Sequence, residues 1–175
     1  DGHTSHQDFG FLPGTSNVQY VEHTSSGDSL KEVDSAGGKQ KVLAKSIQAA
    51  CSISPDGKLF AVPMDGTKTS LARLAIFDRS GKEVRSFTKG VDWDRVSSTD
   101  ITWSPDGKLL AVSMREKKDR NYISVLDASS GKRLSRLRDR SYGFHVVGWY
   151  PDSKSIAIAR STKTGTTIQR AWVRN

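Results

Sequence analysis

Apolar residues in this chain fall in blocks of three or four, or alternate with polar ones, between turns rich in Gly, Pro, Ser and Asp. No stretch sustains a 3.6-residue period, so the pattern predicts β-strands and no helix. Expected strands include VQYVEH (18–23), Leu59–Val62, Ile76–Asp78, EVRSF (83–87), Leu109–Val112, Val125–Asp127, RLSRL (133–137) and Ser155–Ile158.

These strands recur in a fixed order. SPDGKLFAV (54–62) returns as SPDGKLLAV (104–112) and, more weakly, as YPDSKSIAI (150–158). Two residues before Pro55, Pro105 and Pro151 stand Ile53, Trp103 and Trp149, each closing a short apolar stretch. PDGK is turn chemistry: Pro presets φ, Asp bonds nearby backbone, and Gly accepts φ > 0. After the next strand come a polar loop and a strand ending at Asp78 or Asp127. RSGK or ASSGK then makes a second hairpin turn into a fourth strand. A degenerate first copy runs from Phe11 and Pro13 through PGTS, VQYVEH and LKEVDSAGGKQKVL, with Asp34 in the place of Asp78.

Repeats of roughly 40 to 50 residues mark propellers, solenoids or arrays. A four-stranded meander cannot hide both faces from water, and such units become stable by packing on one another. The predicted fold is therefore all-β: a β-propeller of four-stranded antiparallel blades. Blades are expected at about 9–45, 48–88, 99–138 and 144–175, after a leader over 1–8 that has no strand pattern. In the fourth, Ser155–Arg160, the loop STKTGT (161–166) and Ile168–Val173 are legible, and Asn175 falls about where Asp78 and Asp127 stand. The last strand of that blade is missing from the pattern. The expectation is a partial propeller completed by further blades or by another chain; a small four-bladed ring is the alternative.

The run W-S-P-D-G-K-x-L-A-V, a strand, D-x-x-S-G-K and another strand resembles the propeller repeat of TolB-like proteins and of dipeptidyl-peptidase-type enzymes. It also resembles divergent WD-repeats, although the Gly-His and Trp-Asp dipeptides typical of those are absent and the aspartates follow Phe77 and Leu126. The resemblance spans residues 9 to 173. It implies the propeller fold and a periplasmic or extracytoplasmic setting, and it leaves the activity open because propellers host many functions.

Charge and composition narrow the partners. Lys and Arg number 27 against 19 acids, a net of +8. The outermost strands, KQKVLAK, KEVRSFTK and KRLSRLRDR, with their margins hold eleven of those cations against Glu83 and Asp139. Cations on an edge strand discourage edge-to-edge pairing, and a basic rim docking an anionic surface is the alternative. Nucleic acid would need an unmixed basic stripe with stacking aromatics, which the chain lacks. No apolar run approaches the roughly 18 to 20 residues of a membrane span. Cys51 is the single cysteine, which excludes an intrachain disulfide and predicts a small buried hydrophobe.

Catalytic motifs are missing: there is no G-x-S-x-G elbow, P-loop, H-E-x-x-H or G-x-G-x-x-G. Neither a catalytic residue nor a cofactor is predicted. His145 is read as structural, and the aspartates of PDG as turn residues. Propellers often recognise partners through strand 2–3 and blade-to-blade loops, so Trp93, Arg115, Lys117, Lys118, Arg120 and Tyr142 are the expected contacts with a protein partner. Asp1-Gly2-His3 has the form of an amino-terminal copper or nickel site if Asp1 is the free terminus. The function expected is a non-catalytic interaction scaffold. The alternatives are an accessory propeller of a larger secreted or periplasmic hydrolase and a secreted metal-binding protein using Asp1 and His3.

Overall fold

The computed structural model describes residues 9–12, 14–25, 27–47, 51–64, 73–88, 100–116, 120–139 and 143–173. Fifteen strands and no helix occur among them. They are β1 Phe9–Phe11, β2 Val18–Glu22, β3 Asp28–Val33, β4 Lys41–Ile47, β5 Ser52–Ile53, β6 Leu59–Met64, β7 Arg73–Asp78 and β8 Glu83–Phe87. After these come β9 Ile101–Trp103, β10 Leu109–Glu116, β11 Arg120–Asp127, β12 Arg133–Asp139, β13 Gly143–Trp149, β14 Ser155–Thr162 and β15 Gly165–Trp172. Every strand pair is antiparallel. The strands are the blades of a β-propeller fold.

The chain divides into two compact units, 1–86 and 87–175. In the first, β1 to β4 pair in sequence, Ile47 of β4 bridges Met64 of β6, and β6 is flanked by β5 and β7, with β8 beyond. Val21 and Leu30 pack with Phe60, Val62, Ala75 and Phe77 in one apolar cluster. Glu32 is buried beside it and accepts from Asn17 Nδ2 (2.5 Å) and Arg79 Nη2 (2.8 Å). Burial pushes its pKa up, but those donors outweigh it and hold the carboxyl below the usual range.

In the second unit β12-β11-β10-β9 and β13-β14-β15 form two sheets. Ala111, Ile123 and Val125 pack on Val146, Ile156 and Ile158. Ser113 Oγ accepts from the buried Val146 amide (2.7 Å), and Trp149 Nε1 donates to Thr102 O (3.1 Å), tying the sheets together.

The repeated turns explain the repeated sequence. Ser54 Oγ donates to Asp56 Oδ1 (2.6 Å) and accepts from Leu59 N (2.9 Å), while Asp56 Oδ1 also accepts from Lys58 N. Ser104, Asp106, Lys108 and Leu109 repeat each bond. Gly57 and Gly107 adopt φ near 70°, where a Cβ would strain the backbone. In the third copy Ser153 takes that conformation at φ 55°.

Four expectations are corrected. Trp172, and not Asn175, occupies the turn-aspartate position: it pairs with Ser155 as Asp78 pairs with Leu59 and Asp127 with Leu109. STKTGT is strand except for Lys163 and Thr164, with Thr162 opposite Gly165, and this tighter hairpin shortens the blade. REKKDR (115–120), which carries four of the contacts expected on a loop, likewise gives Arg115 and Glu116 to β10 and Arg120 to β11. Polar residues suit strand ends, where backbone pairing suffices without burial. Cys51 is only partly buried: it packs against the first cluster and accepts from Gln19 Nε2 (3.3 Å).

Candidate interaction surface

Turn carboxylates come first, because their recurrence could suggest chemistry. Asp78 Oδ1 accepts from Ser80 N, Ser80 Oγ and Lys82 N. Asp127 Oδ1 accepts from the amides and hydroxyls of Ser129 and Ser130, and these bonds hold its pKa at about 2. In each case one carboxylate oxygen gathers its own turn's donors, which gives the aspartate a structural role. Among the described residues, no three His, Cys, Asp or Glu side chains group as a metal would need.

At the opposite ends of the second unit's strands, Arg160 pairs with Asp139 (2.9 Å). Asp100 stands at the start of β9 near His145 of β13; burial raises its pKa, and the charge of His145 counters only part of that. In the first unit a cleft of about 310 Å³ is lined by Glu22, Asp28, Lys31, Lys45 and Ser46. Within it Lys31 pairs with Glu22 (2.6 Å) and Asp28 with His23 (2.9 Å).

Among the described residues, the most exposed large apolar side chains lie on β13 and β15. Ile168 is 61% exposed, Trp172 59% and Val147 57%. Register places Ala157, Ala159, Ile168, Arg170 and Trp172 on one face of β14 and β15. The opposite face supplies Ile156, Ile158 and Ala171 to the core. Arg170 Cζ lies 4.2 Å from the Tyr150 ring centroid and 4.4 Å from that of Trp172. Its Nε donates to Ser155 Oγ (2.9 Å), and its Nη2 pairs with Asp152. Trp172 is thus held against a fixed cation while most of its surface meets water, the form of an aromatic anchor.

Trp93, Lys117, Lys118, Tyr142, Asp1 and His3 lie outside the described residues. Arg115 and Arg120 are paired in the β10–β11 hairpin, with their side chains outside the description. The β15 face is not among the expected contacts, yet TTIQRAW (166–172) carries its alternation openly, with Ile168, Arg170 and Trp172 in step.

Comparisons with known proteins agree with this architecture. The uncharacterized peptidase YuxL of Bacillus subtilis (strain 168) is 34% identical over 71 residues, which is 41% of this chain and 11% of that protein. The chain therefore spans about a tenth of that curated relative. TolB from Acinetobacter baumannii superposes with a TM-score of 0.64 at 18% identity, over 90% of this chain and 38% of that one. The β-propeller domain of the trilobed protease from Pyrococcus furiosus, described as an open velcro topology, gives 0.55 at 11% identity, over 82% and 44%. At these identities the two structures establish the β-propeller fold. Residues 52–152 match the family described as the anaphase-promoting complex subunit 4 WD40 domain, and the chain belongs to that WD40-type family.

Proposed function

We propose that this chain is a non-catalytic β-propeller module that serves as a protein–protein interaction scaffold, with residues 9–175 as its propeller part. The observation that carries the reading is the exposed set Val147, Ile168 and Trp172, with Trp172 held against Arg170. Large apolar side chains fixed in water by their neighbours gain most when a partner covers them. Trp93, Lys117, Lys118 and Tyr142, with Arg115 and Arg120 at the paired ends of β10 and β11, are proposed as further contacts.

The test is photo-crosslinking in the source cell, with the probe at position 147 or 172 and, as control, at the exposed Arg85. The reading expects a discrete protein adduct from 147 and 172 and none from 85. Equal labelling from all three positions would remove it. A second reading, the accessory propeller of a larger secreted or periplasmic hydrolase, draws on the likeness to the Bacillus peptidase and the Pyrococcus protease domain. Intact mass and active-serine labelling of the native protein separate the two: a longer chain that takes the label belongs to the second.

A further inference from the structure

The Gln19 side chain of β2 is buried, at 5% exposure, yet only one end of its amide is used. Nε2 donates to Cys51 Sγ (3.3 Å), whereas Oε1 has no hydrogen-bond partner among the described residues. The two ends share one planar amide, which puts the spare acceptor within reach of a group one bond longer than the thiol. Turning the amide over would only exchange the ends: the thiol would donate to Oε1, and a buried Nε2 would be left over. A buried polar atom without a partner carries a cost, and a group added at the sulfur would remove it. Cys51 is only partly buried where it packs against the apolar cluster of Val21, Leu30 and Phe60, so a small reagent reaches it.

We propose that Cys51 is a redox modification site: a hydroperoxide oxidises it to a sulfenic acid, and the Gln19 amide holds that product. The sulfur attacks one peroxide oxygen, so an S–O bond forms and the O–O bond breaks. Sulfur gives up two electrons, the peroxide is reduced, and the thiol proton leaves with the departing oxygen as water or an alcohol. A donor at the sulfur suits the thiolate that makes the attack. The product S–OH offers an oxygen that accepts from Nε2 and a proton that it donates to Oε1, so both ends of the amide are satisfied. Oxidation to the sulfinic acid takes a second peroxide, and the bond to Oε1 slows it by keeping the proton on the sulfenic oxygen. The 175 residues hold no second cysteine with which the sulfenic acid could condense. Gln19 lies on β2 and Cys51 just before β5, so the modification adds a hydrogen bond between the first two blades. The inference uses no residue of the exposed β13 and β15 set and stands independently of the scaffold reading.

The purified chain, treated with hydrogen peroxide and then with dimedone, which traps sulfenic acids, should give one adduct, at Cys51; Cys51→Ser should give none. The trap is needed because Met64 and Met114 also take up oxygen. The lifetime of the sulfenic acid is read after catalase removes the peroxide, by quenching aliquots into urea with dimedone so that access to the sulfur is equal. It should be about fivefold or more longer in the folded chain than in a chain already unfolded in urea. Gln19→Leu keeps a side chain of similar size without either amide end, and should shorten the folded lifetime by about the same factor while the circular dichroism spectrum is kept. No adduct at Cys51, a lifetime that unfolding leaves unchanged, or a folded Gln19→Leu chain whose sulfenic acid lasts as long as the parent's would overturn the proposal. Should Gln19→Leu fail to fold, the comparison of the folded with the unfolded parent decides.

Discussion

At residue scale, a short turn is specified by three different demands placed on neighbouring positions. Ser104 and Asp106 satisfy each other and the backbone, and Gly107 at φ 71° accepts a conformation that costs an L-residue about 1 kcal/mol. Gly107→Ala should therefore lower stability by about 1 kcal/mol, read from the urea midpoint at unchanged slope. Ser153, already at φ 55°, gives the comparison. Its hydroxyl accepts from Asp106 N (3.1 Å), so Ser153→Gly relieves strain, gives up that bond, and should stay within about 0.5 kcal/mol of the parent. A large loss in Ser153→Gly would mean that the hydroxyl, and not the backbone shape, carries the turn.

At the scale of elements, the inner blade strands β6, β7, β10 and β11 bury both faces, which makes every polar atom inside them a commitment. Ser113 and Ser124 lie on adjacent strands β10 and β11, both buried. Ser113 Oγ satisfies the Val146 amide, whereas Ser124 Oγ is buried with no hydrogen-bond partner among the described residues. Ser113→Ala leaves a buried N–H unsatisfied and should cost about 1 to 3 kcal/mol. Ser124→Ala removes a desolvated hydroxyl and should be neutral or stabilising; equal losses in calorimetry for the two variants would contradict this assignment. The same strands show what sequence can and cannot convey. Proline turns and apolar blocks locate β6 and β10, and the RSGK turn locates β8, because turn chemistry and burial are local. The polar ends of β10, β11 and β15 have the composition of loops, because an edge or strand end needs only backbone partners. That one ambiguity displaces Trp172 from its register and hides the exposed face it anchors. The neighbourhood of Asp100 and His145 is beyond local reading, since strands far apart in sequence bring the two together.

At the scale of the whole molecule, the repeat sets the response to acid. Hydroxyls hold Asp56 low through Ser54, Asp78 through Ser80, and Asp127 through Ser129 and Ser130, while the Lys154 amide does so for Asp152. At Asp106 burial pushes upward, and the Ser104 hydroxyl with the Lys108 amide outweighs it. A carboxyl with a depressed folded pKa stabilises fully above its unfolded value, about 3.9, and loses that contribution as pH falls through the folded one. The urea midpoint should thus be level near neutrality and fall from about pH 4 toward pH 2, with a shallower fall in Asp127→Asn. Asp100 has the opposite sign. Burial raises its pKa, so its contribution is fully present below the unfolded value and is lost as pH rises through the folded one. At neutral pH the charged form is therefore a cost. Asp100→Asn keeps the backbone carbonyl that accepts from Ser113 N and removes the partly buried charge. Its urea midpoint should exceed the parent's at pH 7, and the difference should vanish by about pH 3. A midpoint below the parent's at pH 7 would mean that attraction to His145 outweighs desolvation, and the two would then form a stabilising ion pair.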